Sequence, residues 1–373
     1  MPAAASLQRA ATPGFMRTAA PALDAGEVSR LGVFRALMLG DMLCAVPTLR
    51  ALRAAYPQAR LTLIGLPWAR ELARRLPGVD DFLAFPGFPG LPEATPQLQA
   101  LPQFLKDAQQ RRFDLLVQLH GSGELSNPIA ACCGARHLAG FVTPGRYCPE
   151  PALFAPWPQA GHEIERLQQV LDALGLPRTG SALEFPLCDA DRTSLSQRWP
   201  DGQAPRGGYV CLHPGAQLRS RRWPARRFAA VADRLAAHGW AVVLTGTEGE
   251  RGIGAEVQAA MSHRCIDMMG RTNLWELGAL VEGAALLVCN DTSVSHIAAA
   301  LGTRSVVVSC GADVSRWAPL DRDRHHVLWH DLHCRPCAHE ICPTAHECAR
   351  AVTPEQVAQA ALLQLACGVT HVH

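Results

Sequence analysis

The stretch LGVFRALMLGDMLCAVPTLRALRAAYPQARLTLIGL, residues 31–66, decides the fold. Two short apolar runs, 31–35 and 61–66, flank a helical candidate over 42–55. A strand, a helix and a second strand in this order are typical of a parallel sheet, because parallel neighbours need a crossover connection. The sequence therefore predicts an α/β fold.

The same alternation continues along the chain. In the first half, apolar runs cover 82–85, 113–119 and 137–141, and heptad-spaced apolar residues predict a helix over 162–174. The second half repeats the pattern with the runs YVCLHPG, AVVLTG, CIDMMG, LLVCN and SVVVSCG, separated by helical candidates. Proline, glycine and charged residues over 185–208 indicate the linker between the two halves.

Two doubly wound domains are therefore expected to face each other across a cleft, with ligands at the carboxyl ends of the strands. The predicted organisation is a disordered tail over 1–29, an N-terminal Rossmann-like domain over 30–190 and a C-terminal Rossmann-like domain over 205–350. A last helix is predicted over 353–367, with Thr353 as its N-cap.

Composition narrows the functional classes. The chain has 373 residues, of which 48% are hydrophobic and 18% charged, which suits two buried cores and argues against a mainly disordered protein. The formal net charge of +2 gives no indication of nucleic-acid binding. Because Lys106 is the only lysine, phosphate binding would depend on arginine.

Fourteen cysteines are expected to be mostly reduced thiols, since no charged leader with an apolar core and cleavage site opens the chain. No apolar run approaches the roughly 20 residues that span a bilayer. We therefore expect a cytoplasmic protein whose contact with the inner face of the cytoplasmic membrane is at most peripheral.

Polar residues follow the first strand at Gly40-Asp41. Asp41 could cap the helix that we expect to begin near Met42, since an aspartate at an N-cap accepts from exposed backbone amides. Asp41 could also act as a general base at the cleft, because a carboxylate accepts a proton from an attacking hydroxyl. Both roles can hold at once.

Two further segments follow strands of the second half. HPGAQLRSRRWP, residues 213–224, combines a glycine turn with clustered arginines and is either an anion site or a solvated basic loop. LTGTEGE, residues 244–250, resembles the element whose carboxylate holds a ribose hydroxyl, although its acidic residues could equally begin a helix.

NDTSVSHIAAALG, residues 290–302, places Asp291, Thr292 and Ser293 at the head of a helix. The helix dipole and its free amides suit a diphosphate. His296 lies in or near the first turn of the same helix; a helical histidine is usually structural, but its polar neighbours favour a site.

CRPCAHEICPTAHEC, residues 334–348, holds four cysteines and two histidines. Only the first pair, Cys334 and Cys337, has the spacing of a metal knuckle. Unligated cysteines or a redox-labile pair are the favoured interpretations, and no metal site is predicted.

Taken together, the motifs resemble glycosyltransferase family 9, the heptosyltransferases, from about Arg30 to the last helix. GDMLCAVPTLRALRAAYP resembles the family's opening loop and helix, HPGAQLRSRRWP its basic segment, and NDTSVSHIAAALGT its NDTG-x-x-H-x-A-A-A-L-G motif. The CRPC segment followed by TPEQV resembles the ending of heptosyltransferases of the second-heptose type.

The resemblance implies a GT-B fold and metal-independent, inverting transfer of a heptose from ADP-heptose to a lipopolysaccharide inner-core acceptor, without a cofactor. It implies Asp41 as the catalytic base, and Arg221 where relatives often have a phosphate-binding lysine. The donor-binding residues that it implies are Ala216, Gln217, Arg221, Arg222, Gly246, Glu250, Thr272, Asp291, Thr292, Ser293, Val294 and His296. Ser293 replaces the usual glycine, and Ala216 and Gln217 replace residues that can offer hydroxyl groups.

In the implied reaction, Asp41 deprotonates the acceptor hydroxyl while arginines and helix amides stabilise the departing diphosphate. Two alternatives remain: a nucleotide-sugar epimerase of the same architecture, and a non-catalytic protein that binds a nucleotide sugar. A dehydrogenase is disfavoured because no G-x-G-x-x-G follows the first strand.

Overall fold

Apolar runs at regular intervals become the strands of two six-stranded parallel sheets. The structure is a computed structural model that describes residues 23–200, 202–206 and 208–369. Most of the tail predicted over 1–29 lies outside the described residues. The front half is the part before residue 185, with the first sheet, and the rear half is the part from Asp189 onward, with the second.

The strands of the front sheet are β1 Arg30–Phe34, β2 Arg60–Gly65, β3 Asp81–Ala84, β4 Leu115–Gln118, β5 His137–Val142 and β6 Phe154–Pro156. Its helices are α1 Leu39–Ala55, α2 Arg70–Arg75, α3 Leu101–Gln110, α4 Ser126–Cys132 and α5 Glu163–Ala173. The strand order is β3-β2-β1-β4-β5-β6, and all the pairings are parallel.

The strands of the rear sheet are β7 Tyr209–His213, β8 Ala241–Leu244, β9 Ile266–Asp267, β10 Leu286–Asn290, β11 Ser305–Val308 and β12 His325–Leu328. The rear helices are α6 Asp189–Ser196, α7 Ala225–Ala237, α8 Arg251–Ala260, α9 Leu274–Glu282, α10 Ser293–Leu301, α11 Val314–Trp317, α12 Glu347–Ala351 and α13 Pro354–Val369. The strand order β12-β11-β10-β7-β8-β9 repeats that of the front sheet read from the other edge. In each sheet the order in which successive strands are added reverses once, as in doubly wound folds. The reversal lies between β1 and β4 in the front sheet and between β7 and β10 in the rear sheet. The predicted α/β fold of two such sheets is confirmed.

One hydrophobic cluster joins the two halves. It contains Leu43 and Val46 of α1 together with Val294 and Ile297 of α10, all of them buried. Helices α1 and α10 therefore pack directly on each other. Because apolar burial is the main favourable term in folding, this shared core holds the halves in contact.

The first helix corrects one interpretation of Asp41. Helix α1 begins at Leu39, its N-cap is Met38, and Asp41 is its third residue. The N-cap interpretation is therefore wrong. Met38 makes no side-chain cap, and a side chain of the rear half serves one of the first amides instead, because Ser293 Oγ accepts from the Gly40 N–H at 3.2 Å.

Part of the segment between the sheets packs against the rear half. Phe185 is buried and lies 5.0 Å from Trp275, centroid to centroid. Helix α6 packs on α9, where Arg192 forms an ion pair with Glu282 at 2.7 Å. These contacts attach the segment to the rear half.

At the other end of the chain, helix α13 begins as predicted. The Gln356 N–H donates to Thr353 Oγ1 at 3.3 Å, and the Thr353 N–H donates to Gln356 Oε1 at 2.9 Å. Across the described part of the chain, every helix is too short or too polar to cross a membrane.

Candidate active site

An open cavity of about 220 Å³ lies where the two halves meet. It is lined by residues that follow the carboxyl ends of β1, β7 and β10: Met38, Gly40, Asp41, Ala216, Gln217, Leu218, Arg221, Asp291, Thr292, Ser293 and His296, with Trp317 from α11. Strands β7 and β10 flank the point where the rear sheet reverses its strand order, which is where such sheets bind ligands.

Helices α1 and α10 approach each other with their first turns at this cavity. The Gly40 N–H donates to Ser293 Oγ at 3.2 Å. A Cβ atom at Gly40 would lie 2.9 Å from Cδ2 of His296. The approach therefore requires a glycine at this position, and the N-termini of two helices lie near a common space.

Asp41 is the carboxylate that the front half contributes. Its side chain is 28% exposed, and Oδ1 lies 3.9 Å from Nη2 of Arg35. Burial raises the pKa of Asp41, and the Glu163 charge raises it further, whereas Arg35 and Arg316 lower it. A carboxylate with a raised pKa is a stronger proton acceptor than a solvated one.

Arg221 is the arginine that faces the cavity from the rear half. It lies at the end of a 3-10 turn, Arg219–Arg221, whose middle residue Ser220 is buried. Its Nη2 donates to the carbonyl of Cys337 at 3.5 Å. Arg222 points elsewhere: its Nε donates to the carbonyl of Ala216 at 2.7 Å and so supports the turn that lines the cavity.

Asp291 is a second carboxylate of the cavity wall. It is 8% exposed, and Ser309 Oγ donates to its Oδ2 at 3.1 Å. Burial raises the pKa of Asp291, while the Ser309 hydrogen bond and the charges of Arg221 and Arg335 oppose that rise. The Asp291 carboxylate therefore interacts with the charges of Arg221 and Arg335 and with the Ser309 hydroxyl.

His296 is buried between the halves. Its Nδ1 lies 3.9 Å from Sγ of Cys44 in α1. Burial lowers the pKa of His296 to about 4, with a smaller contribution from His162. The imidazole is therefore neutral near pH 7, and it contributes packing and hydrogen bonding, not charge.

The cavity brings together eight of the predicted site residues: Asp41, Ala216, Gln217, Arg221, Asp291, Thr292, Ser293 and His296. The other five do not line it. The Val294 side chain is buried in the shared core, and Thr272 lies in the loop before α9. Gly246 is buried, and a Cβ atom there would lie 2.6 Å from Cε of Met269.

Glu250 lies just outside the cavity wall. A Cβ atom on Gly215, the residue before Ala216, would lie 2.0 Å from Glu250 Oε1, so the carboxylate packs directly on that glycine. Glu250 Oε2 accepts from the N–H and Oγ1 of Thr247 at 2.9 and 2.8 Å. The carboxylate is thus held at the carboxyl end of β8, next to the turn after β7.

The cysteine-rich segment forms a loop against the arginine turn. Cys334, Cys337, Cys342 and Cys348 line an enclosed cavity of about 40 Å³. Within the described ranges, no three His, Cys, Asp or Glu side chains are arranged so that they could hold a metal ion. The loop contacts Ser220 at three points, which fixes the turn that carries Arg221.

Sequence reasoning missed several residues around Asp41. Arg35, Glu163 and Arg316 surround its carboxylate, and Trp317 lines the cavity. Arg35 stands at the end of an apolar run and Glu163 in an amphipathic helix, where charged residues are ordinary. What distinguishes Arg35 and Glu163 is that these charged residues are buried. Burial becomes visible only in the folded structure, so the sequence contains no signal for them.

A carboxylate from one doubly wound sheet meets an arginine and the first turn of a helix from the other across a cleft. This arrangement is that of a glycosyltransferase of the GT-B fold, in which the two halves face each other and the reaction takes place between them.

The chain belongs to glycosyltransferase family 9. The model of that family, described as glycosyltransferase family 9 (heptosyltransferase), matches residues 103–347. Lipopolysaccharide heptosyltransferase 2 of Escherichia coli K12 is 26% identical over 305 residues, covering 75% of this chain and 82% of the relative.

Solved structures have the same fold. The glycosyltransferase family 9 structure from Veillonella parvula superposes with a TM-score of 0.78 at 21% identity, covering 92% of this chain and 98% of that one. The E. coli ADP-heptose lipopolysaccharide heptosyltransferase II structure gives a TM-score of 0.73 at 20% identity, covering 90% and 98%. These comparisons confirm the predicted family, the GT-B fold and the glycosyltransferase class.

Proposed function

We propose that this enzyme transfers a heptose from ADP-heptose to an inner-core sugar of lipopolysaccharide, with inversion at the anomeric carbon and without a metal ion. Family membership and the names of its relatives support the heptosyl donor and the lipopolysaccharide acceptor. The observation that carries the mechanism is the single cavity shared by Asp41, Arg221 and Asp291.

In the proposed reaction, Asp41 accepts the proton of the acceptor hydroxyl as its oxygen attacks the anomeric carbon. The bond from that carbon to the diphosphate oxygen breaks, and ADP leaves with the bonding electrons. Arg221 and the amides at the start of α10 stabilise the charge that develops on the diphosphate. Attack opposite to the leaving group inverts the configuration.

The remaining predicted donor residues have supporting places in this scheme. Ala216 and Gln217 offer backbone groups to the diphosphate, and Arg222 holds their turn. Glu250 and Gly246 approach the ribose, and Thr272 approaches the adenine edge. Asp291, Thr292, Ser293 and the backbone of Val294 face the sugar and phosphates, with His296 behind them. The enzyme would reach its lipid-linked acceptor by peripheral contact with the inner face of the cytoplasmic membrane.

The test is a transfer assay with purified protein, ADP-heptose and a truncated lipopolysaccharide core, with the product identified by mass spectrometry. Asp41→Asn removes the base and keeps the shape, so we expect kcat to fall by roughly 10²–10⁴ while the donor KM changes little. Near-normal kcat in folded Asp41→Asn would refute the assigned base. Conversion of the donor without acceptor would instead indicate an epimerase.

A further inference from the structure

Glu163 is a buried carboxylate that does not line the cavity, yet it holds three arginines. It is 1% exposed and begins α5. Its Oε1 lies 3.3 Å from Nη2 of Arg35, and its Oε2 lies 3.3 Å from Nη1 of Arg166 and 2.8 Å from Nε of Arg316. We call these four residues the Glu163 network. A buried charge is costly unless it is paired, so these contacts compensate the burial of the Glu163 carboxylate.

Arg35 connects the network to the proposed base. It is fully buried, and its Nε donates to the backbone carbonyl of Asp41 at 2.8 Å. Its Nη1 donates to the carbonyl of Leu119 at 2.6 Å, and its Nη2 lies between Asp41 and Glu163. Arg35 therefore fixes both the backbone and the charge environment of Asp41.

The network also crosses the cleft. Arg35, Glu163 and Arg166 belong to the front half, whereas Arg316 lies in α11 of the rear half. Next to this ion pair, His162 Nε2 donates to the carbonyl of Ala318 at 2.9 Å. The Glu163–Arg316 pair can therefore exist only when α11 lies against the start of α5. Closure of two such halves around a substrate is a common hinge motion.

Charged and titratable groups approach Asp41 from every neighbouring element. The charged ones nearby are Arg35 after β1, Glu163 of α5 and Arg316 of α11. Cys44 of α1 is a neutral thiol because burial raises its pKa. His296 of α10 is neutral near pH 7, and Arg221 and Asp291 line the same cavity.

We propose that Glu163 and Arg316 are positioning residues that set the basicity of Asp41, and that Arg316 makes this setting depend on contact between the two halves. This inference rests on the proposed role of Asp41 as the base. Neither residue touches the reacting atoms; Glu163 acts through Arg35, and both act through the charge that they place near the Asp41 carboxylate.

The two charges act in opposite directions on Asp41. Glu163 disfavours the ionised form of Asp41, so Glu163→Gln should lower its pKa. Arg316 favours the ionised form, so Arg316→Gln should raise it. A unit charge that lies several ångströms from a carboxylate, and whose interaction with it is partly screened by solvent, changes the carboxylate pKa by roughly half a unit to one unit. A purely structural role would not give shifts of opposite sign.

The experiment is the pH dependence of kcat with both substrates saturating, since its acid limb reports the base in the bound complex. We expect the acid limb to move down by about 0.5–1 pH unit in Glu163→Gln and up by a similar amount in Arg316→Gln. The double variant should return close to the wild-type midpoint. Glu165→Gln, an exposed change two residues along α5, is the matched control and should leave the profile unchanged.

Unshifted midpoints, or shifts of the same sign, in folded variants would overturn the proposal. If Glu163→Gln does not fold, Arg316→Gln decides alone, because its side chain is 32% exposed and its loss is easier to accommodate. Asp41→Asn separates the two proposals. If it is active, the assigned base is wrong; if it is inactive while both midpoints stay unmoved, only the positioning role is wrong.

Discussion

Two carboxylates of the same cavity have different surroundings, which suit different roles. Asp41 is partly exposed to the cavity, and its nearest ion-pair partner among the described residues is Arg35, at 3.9 Å. Asp291 is more deeply buried and accepts from Ser309. A free, basic carboxylate suits proton transfer, whereas a hydrogen-bonded one suits holding neighbouring groups in place.

At the residue scale, Ser293 shows what this chain does differently from its family. The family motif usually has glycine here, but Ser293 begins α10 in an ordinary helical conformation, and its hydroxyl accepts from the Gly40 N–H of the front half. A glycine could not make this contact. The substitution therefore adds a hydrogen bond between the halves and leaves the backbone unstrained.

We expect Ser293→Ala and Ser293→Gly to weaken closure by about 1 kcal/mol, the usual net contribution of one hydrogen bond. This corresponds to a rise in the ADP-heptose KM of roughly fivefold if closure accompanies donor binding. Steady-state kinetics with varied donor checks it. The alanine variant isolates the hydroxyl from backbone freedom, so wild-type KM in Ser293→Ala would show that the bond contributes nothing to closure.

At the element scale, the cysteine-rich loop acts as a support for the arginine turn. The Ser220 N–H donates to the carbonyl of Glu340 at 3.1 Å, and Ser220 Oγ donates to the carbonyl of His339. His346 Nε2 donates to the carbonyl of Ser220 at 2.7 Å. The position of Arg221 thus depends on a loop far along the sequence, which the cysteine spacing alone did not indicate.

Ser220→Ala removes one of these supports and leaves the His339 carbonyl without that donor. We expect a loss of stability of about 1–2 kcal/mol and a several-fold higher donor KM, because Arg221 is held less firmly. Chemical denaturation and donor-dependent kinetics measure both. Ser196→Ala, an exposed serine at the end of α6, is the control. A lower stability with an unchanged KM would mean that the loop does not position Arg221.

The contact between α1 and α10 gives a second prediction at this scale. A Cβ atom on Gly40 would lie 2.9 Å from the His296 ring and 3.4 Å from Ser293 Oγ. The buried ring has little room to move, so Gly40→Ala should force the two helix ends apart. We expect kcat/KM to fall at least tenfold while each sheet stays folded. Unchanged kcat/KM would show that the helices need not meet this closely.

Much of the fold follows from the sequence because most of the central strands are buried. Runs such as LLVC in β10 are apolar, and each recurs beside a helix. The short edge strands β6 and β12 were missed, since they are three and four residues long and partly polar or exposed. A brief strand at a sheet edge is defined by its neighbour more than by its own residues.

Some residues of the candidate site could be predicted from the sequence, and others could not. Residues directly after apolar runs, such as Asp41 and Asp291, could be found because strand ends are recognisable. Arg35, Glu163 and Arg316 could not, because their importance lies in being buried together, and 153 positions separate Glu163 from Arg316. No local pattern encodes a contact over that distance.

At the scale of the whole molecule, the junction between the halves contains neutral, buried histidines that make stability depend on pH. Burial lowers the pKa of His296 to about 4, and burial also lowers the pKa of His325 to about 4. In the unfolded chain both titrate near their ordinary value of about 6.5. Below that pH the two histidines bind protons in the unfolded state but stay neutral in the folded state. The free energy of unfolding therefore falls as pH decreases from about 6.5 to 4.

We therefore expect the free energy of unfolding to drop by about 2 kcal/mol for each of these histidines between about pH 7 and pH 5. Urea unfolding at a series of pH values measures the drop. His325→Asn should remove its share, because asparagine does not titrate and can still reach Ser305, whose Oγ lies 2.9 Å from Nδ1 of His325. His238→Asn, an exposed histidine at the end of α7, should leave the slope unchanged. If the His325 variant keeps the full wild-type slope, other groups cause the acid sensitivity. If its slope is reduced, the remaining dependence belongs to the other buried histidines, His162, His213 and His296, because burial lowers the pKa of each.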